Sequence, residues 1–207
     1  MLKLFGTPNS RSTRVAWALE EVGAEYEITP IQLGRGGGRA PEYLAINPGG
    51  KVPALIDGDA VLTESAAIVL YLAERFPNAG LVPGDPLERA RCVQWCFFVI
   101  GELEQPLWTM TKHAFVLPPK LRVPAILATA ASEWKRAAAV LSTGLGERPY
   151  LLGDAFTAAD IMVGHTLAWA TAAQQPLEAE NLVAYRDRVL ARPALARAQA
   201  REQAAAG

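Results

Sequence analysis

The chain has 207 residues, 51% hydrophobic and 20% charged, enough for one large or two small folded domains and unlike a disordered segment. A formal net charge of −1 gives no electrostatic footprint for nucleic acid or an anionic membrane surface. No apolar run approaches the roughly 18–20 residues that span a bilayer, and Met1–Gly6 is too short and too soon broken for a signal peptide, so a cytoplasmic protein is expected.

Leu2–Phe5 reads as a short strand, with the turn Gly6-Thr7-Pro8-Asn9-Ser10 leaving it. From Ser12 to Val22 the apolar positions Val15, Ala16, Leu19 and Val22 keep helical spacing, and Gly23 stops the helix. Tyr26–Ile31 alternates as a second strand, so the first unit is βαβ with a right-handed parallel crossover. The glycines of 34–39 lack the strand–GxGxxG–helix context of a dinucleotide site and read as a loose loop. Pro41–Ala45 follows as one irregular helical turn.

The segment 47–65 then runs loop, short apolar strand, Asp57-Gly58-Asp59 turn, second short strand and helix mouth at Thr63-Glu64-Ser65. The helix extends from Glu64 to about Arg75, before Pro77. Pro53 deprives the sheet of one donor, so it belongs where no ladder bond is needed or in a cis turn facing a ligand. Glu64 and Ser65 fall where free N–H groups and the positive helix end favour a carboxylate. An extended peptidic anion suits both features; for Glu64-Ser65 a simple helix cap is the other reading.

Residues 76–86 are linker-like, and beyond them strand signals cease. Helices are expected from Pro86 or Leu87 toward Phe115 with a kink at Pro106, over Pro124–Leu145, from Thr157 to about Ala173, over Asn181–Ala191 and over Ala194–Ala200, with fraying from Arg201. Thr157-Ala158-Ala159-Asp160 has the capping-box pattern, with Asp in place of Glu. Cys92 and Cys96, four apart on one helix, read as core filling.

Three stretches, Asn47-Pro48-x-Gly50-Lys51-Val52-Pro53-Ala54-Leu55, Leu62-Thr63-Glu64-Ser65-x-Ala67-Ile68 and Phe156-Thr157-x-Ala159-Asp160, stand in the order and spacing of a known family. The chain resembles the cytosolic glutathione S-transferase superfamily over nearly its whole length, on the bacterial side near the serine-type and disulfide-reducing branches. The resemblance implies α/β plus all-α architecture: a thioredoxin-like βαβ-ββα domain over 1–77, a linker over 78–86 and a helical bundle domain over 87–207. It also implies glutathione as cosubstrate, a role in detoxification and a homodimer. Carried over by position, Pro53 is the cis-proline and the Val52 backbone pairs with the cysteinyl unit. Ser65 takes the γ-glutamyl carboxylate, Glu64 faces the ammonium, and Lys51 reaches the glycyl carboxylate or a nearby polar group.

By the same resemblance the reactive centre follows the first strand, at the start of the first helix. A serine hydroxyl there acts as a hydrogen-bond donor to sulfur, since serine is no base at neutral pH. A thiol of pKa about 8.5 needs about 1.4 kcal/mol of preference for thiolate per unit of depression, and a hydrogen bond of roughly 1.5–3 kcal/mol plus the helix dipole supplies one or two units. Ser10 matches the serine-type pattern, while Thr7 and Asn9 match the turn of the disulfide-reducing branch. Ser12 is a further candidate whose other role is helix N-cap. No cysteine occupies this turn, which argues against the branches that form a mixed disulfide there.

Trp108, Met110 and His113 are the candidates for an electrophile pocket, with Phe115 beside them, while Trp95 and Trp169 read as core. Arg11 and Arg14 either face the ligand cleft or take part in surface or interdomain pairing. A metal enzyme is not expected, because His113 stands roughly 25 Å beyond Cys96 along a continuous helix and His165 lies on another. No Gly-x-Ser-x-Gly elbow supports a serine hydrolase. Three functions stay open: a transferase adding glutathione thiolate to an electrophile, a glutathione-dependent disulfide reductase or peroxidase, and a non-catalytic binding protein of the same fold.

Overall fold

The central strand of the sheet is the first in the chain. In the computed structural model, which describes residues 1–207 with the side chain of Arg35 excepted, β1 (Leu2–Gly6) is buried at Leu2, Leu4, Phe5 and Gly6. Burial of consecutive residues means both faces are covered. β2 (Tyr26–Pro30) pairs parallel to β1, and β3 (Ala54–Asp57) pairs antiparallel on its other side, with Phe5 opposite Ala54. β4 (Ala60–Thr63) closes the hairpin through Gly58 at φ 59°, completing the order β2-β1-β3-β4.

The parallel β1–β2 step requires a crossover, supplied by α1 (Ser12–Glu21). Every residue of α1 from Ser12 to Leu19 is buried, as in a helix covered all round. Its neighbours within the unit are β1, α3 (Ser65–Arg75) and the last helix, α9 (Pro193–Ala206). The one-turn helix α2 (Pro41–Leu44) precedes the 47–53 loop. Asp57 ties the hairpin to α3, accepting from the Tyr71 hydroxyl at 2.7 Å and pairing with Arg75 at 2.7 Å.

Residues Met1–Val82 and Ala191–Gly207 form one compact unit, and Pro83–Leu190 the other. The sequence reading places 191–207 with the helical domain; in the structure they pack on α1 instead. Ala194, Leu195, Ala198 and Glu202 are buried, Arg192 pairs with Glu21 at 2.5 Å, and Arg197 pairs with Glu20 at 2.8 Å. Arg201 donates to the Tyr26 carbonyl at 2.6 Å and lies 3.9 Å from the Tyr26 ring centroid. Fraying from Arg201 is therefore corrected: α9 continues to Ala206, because its final turns are anchored through Arg201 and Glu202.

In the second unit Asp85 caps α4 (Pro86–Phe98), accepting from the Leu87 and Glu88 amides at 3.0 Å. The irregularity expected at Pro106 falls ahead of it, as a π-helical turn over Val99–Leu103 before α5 (Glu104–Thr111). Proline can neither donate to the carbonyl four residues back nor tolerate its closeness, and a widened turn relieves both. A second π-turn, Lys112–Val116, ends this stretch. Helices α6 (Ile126–Leu145), α7 (Ala158–Ala172) and α8 (Glu180–Leu190) complete the unit. Cys92 and Cys96 are buried, in keeping with core filling.

Asp160 is the polar centre of that unit and is fully buried. It accepts from the Thr157 amide at 2.8 Å, the Thr157 hydroxyl at 2.9 Å, the Leu151 amide at 3.0 Å and the Tyr185 hydroxyl at 2.6 Å. Burial raises its pKa, and these bonds oppose the rise. The predicted capping box is present, and it holds a loop and α8 as well as its own helix.

Candidate active site

The turn between β1 and α1 is organised by hydroxyl groups. The Thr7 amide donates to Ser12 Oγ at 2.8 Å, and the Ser12 amide donates to Ser10 Oγ at 3.1 Å. The two serine oxygens are 2.6 Å apart, and each lies 2.7 Å from the Thr7 carbonyl oxygen. Ser12 is not the N-cap, a position that falls to Arg11; its side chain turns inward and is wholly buried. Gly6 permits this, since a Cβ there would lie 2.8 Å from Ser12 Cβ. Thr7 Oγ1 donates to the Ile31 carbonyl at 2.5 Å, so its hydrogen is directed into the fold. Ser10 is half-buried, whereas Asn9 is exposed with φ 58°, a left-handed conformation that Asn tolerates better than most residues.

The 47–53 loop is held from inside. Asn47 Nδ2 donates to the Lys51 carbonyl at 2.7 Å, Asn47 Oδ1 accepts from the Gly49 amide at 3.0 Å, and the Tyr43 hydroxyl also donates to the Lys51 carbonyl, at 2.5 Å. Gly50 adopts φ 62°, and a Cβ there would lie 2.3 Å from the Gly38 carbonyl oxygen; a Cβ on Gly38 would lie 2.4 Å from that of Gly50. This close approach of two backbones gives Gly38, in the stretch read as a loose loop, a packing role; the stretch itself forms two short 3-10 turns. The Val52-Pro53 peptide is cis. Val52 packs against the Phe5–Tyr43–Ala54 cluster, and since β3 begins at Ala54, the Val52 backbone lies beyond the ladder. The Lys51 side chain is exposed.

Glu64 precedes α3 with φ 67° and ψ 113°, and its side chain makes no capping bond. A non-glycine residue in this region is uncommon, and such residues cluster at ligand sites. Ser65 is buried, and its Oγ accepts from Arg14 Nη1 at 3.3 Å. With a lone pair engaged by Arg14, the Ser65 hydroxyl hydrogen is directed to another acceptor. Arg14 is itself wholly buried, so the surface pairing held open for it is ruled out. A guanidinium behind the N-terminus of α3 adds positive potential where the helix already favours an anion. A place at the ligand cleft was one reading of Arg14 in the sequence; its bond to Ser65, 51 residues on, was not legible there.

In the second unit, Trp108 and Met110 of α5 and His113 of the π-turn are half-buried. Lys112 Nζ lies 5.7 Å from the Trp108 ring centroid. His113 Nδ1 accepts from the Val123 amide at 3.0 Å, so this imidazole fastens the segment after the π-turn. A cleft of about 360 Å³ in the same unit is lined by Phe98, Glu102, Gln105, Pro106, Arg136 and Val140 among others, and by none of the three predicted residues. Trp95 meets Phe98 edge-on and covers Gly144, where a Cβ would lie 2.3 Å from the indole, yet it is half-buried rather than part of the core expected for it. Among the described residues no group of His, Cys, Asp and Glu is arranged to hold a metal ion.

A mixed sheet ordered β2-β1-β3-β4, with a cis-proline loop entering β3 and a second, helical unit, defines a thioredoxin-like domain joined to a helical domain. The family model for the N-terminal domain of glutathione S-transferase matches residues 1–74, and that for the C-terminal domain matches 124–201. The chain belongs to the glutathione S-transferase family. Among its relatives, glutathione S-transferase 3 of Zea mays is 34% identical over 180 residues, covering 84% of this chain and 80% of the relative. Disulfide-bond oxidoreductase YfcG of Escherichia coli (strain K12) is 33% identical over 169 residues, covering 78% and 76%. A sphingomonad glutathione S-transferase solved in complex with glutathione superposes with a TM-score of 0.84 at 33% identity, over 97% of this chain and 98% of that one.

Proposed function

We propose that the protein is a glutathione transferase that stabilises the glutathione thiolate for attack on an electrophilic small molecule. The observation that carries this reading is the half-buried Ser10 hydroxyl at the start of α1, embedded with Ser12 and the Thr7 carbonyl in one hydrogen-bonded cluster. In this reading the cysteinyl backbone pairs with Val52 beside Pro53, and the γ-glutamyl carboxylate meets Ser65 and the first amides of α3. Glu64 faces the ammonium, and Lys51 faces the glycyl carboxylate. The Ser10 hydroxyl and the N-terminal field of α1 then favour thiolate over thiol. Recognition of the electrophile is assigned to Trp108, Met110 and His113 of the second unit. The setting is cytoplasmic and detoxifying, and the working form is a homodimer, supported by exposed Phe97 and Val140 on the second unit.

A second reading, glutathione-dependent disulfide reduction, is favoured by Asn9, exposed and held at positive φ in this turn, and by the relative named a disulfide-bond oxidoreductase. Turnover of glutathione with a chlorinated nitroarene, compared with turnover of a small disulfide, separates the two. Conjugation is the expected result. Reduction without conjugation selects the second reading, binding without either leaves a binding protein, and no glutathione binding up to millimolar concentration refutes the site.

A further inference from the structure

The most unusual side chain of the first unit is Glu202 of α9. It is 3% exposed, and one oxygen, Oε2, accepts from the Thr13 hydroxyl at 2.7 Å. The other, Oε1, is buried and has no hydrogen-bond partner among the described residues. A carboxylate so placed is costly, whereas a neutral carboxyl carries a hydrogen that it can donate. The neighbouring hydroxyl is that of Ser12, which is bonded at 2.6 Å to Ser10 Oγ. Thr13, bonded to Glu202, directly follows Ser12 in α1, so the buried carboxyl adjoins the serine cluster.

We infer that Glu202 is a positioning residue for the glutathione thiol, acting through Ser12 on the direction of the Ser10 hydroxyl; this rests on the Ser10 reading above. The argument is one of counting hydrogens. Ser12 and Ser10 own one hydroxyl hydrogen each, and the acceptors are the Thr7 carbonyl, the partner serine, Glu202 and the sulfur. An ionised Glu202 is the strongest acceptor and takes the Ser12 hydrogen, so the Thr7 carbonyl and Ser12 Oγ draw the Ser10 hydrogen inward. A neutral Glu202 donates to Ser12, Ser12 turns to the Thr7 carbonyl, and the Ser10 hydrogen turns to the sulfur. The neutral form thus favours thiolate, and thiolate formation in turn favours the neutral form.

The groups around Glu202 leave its charge uncompensated. Its α1 neighbours are the Thr13 and Ser12 hydroxyls, while the acids of α1, Glu20 and Glu21, are engaged by Arg197, Arg201 and Arg192. Arg14 of α1 donates to Ser65, and Arg11 occupies the N-cap position of the same helix. From β2 the facing group is Tyr26, whose ionisation Glu202 disfavours. Burial lifts the Glu202 pKa to about 7 against the pull of Thr13 and Ser12, so both forms are populated at neutral pH.

The test is a pH titration of the thiolate ultraviolet absorbance with glutathione saturating the full-length protein. Wild type should titrate over a wider range than a single-proton curve. Glu202→Gln should sharpen the curve and lower its midpoint by roughly one unit, with KM for glutathione changed less than about threefold. Thr13→Val, which removes the hydroxyl donated to Glu202, should move the broad part of the curve to higher pH, and it decides alone should Glu202→Gln fail to fold. A Glu202→Gln titration identical to wild type overturns the inference, as does a shift that persists undiminished in a Ser10→Ala background. Ser10→Ala raising the thiol pKa while Glu202→Gln is silent refutes Glu202 alone; Ser10→Ala without effect refutes both Glu202 and the Ser10 reading.

Discussion

Replacing Ser10 by alanine tests the chemistry with little disturbance of binding. The hydroxyl lies in a turn whose other bonds survive its removal: Ser12 Oγ still meets the Thr7 carbonyl at 2.7 Å and still receives the Thr7 amide at 2.8 Å. The Ser12 amide loses its acceptor at 3.1 Å, so the stability cost should be about 1 kcal/mol. The effect on the bound thiol should be larger. A hydrogen bond from hydroxyl to thiolate is worth roughly 1.5–3 kcal/mol, or one to two pKa units, so thiolate at pH 7 should fall about 10- to 100-fold. kcat/KM for conjugation should fall by the same factor and recover as pH is raised. Glutathione affinity should change less than about threefold, because the groups assigned to its ends lie at 51–53 and 64–65. Thiolate absorbance, pH–rate profiles and calorimetric titration measure the three quantities. An unchanged thiol pKa in Ser10→Ala would refute the assignment and transfer the role to Asn9. Thr7→Val is the matching control: with its hydroxyl bonded to the Ile31 carbonyl, it should lose about 1 kcal/mol of stability and leave the thiol pKa in place.

Ser65→Ala should weaken glutathione binding about 10- to 100-fold with little change in thiol pKa, the loss expected for one hydrogen bond to a carboxylate; calorimetry with an unchanged Kd would remove Ser65 from the site. Gly50→Ala forces a Cβ to within 2.3 Å of the Gly38 carbonyl at a φ of 62°. It should cost about 2 kcal/mol or more and weaken glutathione binding by moving Lys51 and Val52, as read by urea denaturation and calorimetry. Asp160→Asn sets a side-chain amide against the Thr157 or Leu151 donors and Tyr185. It should destabilise the protein by about 2–4 kcal/mol, and a loss below about 1 kcal/mol would refute the account of that cap. Glu202, with a folded pKa of about 7 raised from 4.5, keeps a proton in the folded state that the unfolded chain releases. Its stabilising contribution is present below pH 4.5 and is lost as pH rises to 7, about 3 kcal/mol in all. Urea unfolding at pH 5 and pH 8 should show about 2.5 kcal/mol of that difference in wild type relative to Glu202→Gln.

The features legible in the sequence are those whose causes lie a few residues apart. Strand alternation, helical spacing, the Val52-Pro53 loop, the Gly58 turn and the Thr157–Asp160 box all express local backbone geometry, and the motifs around them led to the family. The π-turn ahead of Pro106 and the inward turn of Ser12 are local too, yet each depends on how neighbouring backbone accommodates crowding, at Pro106 and beside Gly6.

What the sequence by itself determined was the order of elements, the two-part architecture and the places, at 51–53 and 64–65, of the residues proposed to hold the ligand. Only the tertiary structure decided which groups stand behind them. Arg14 reaches Ser65 across 51 residues, Thr13 reaches Glu202 across 189, and Gly38 meets Gly50 backbone to backbone. Pattern along the chain marks α9 only as an Ala-rich tail. Its burial against α1 depends on ion pairs and a carboxyl whose partners are remote in sequence. Hydrogen bonds and close contacts are short-ranged in space and indifferent to chain separation, so the groups that set the charge of the site were fixed by folding and hidden from the linear pattern.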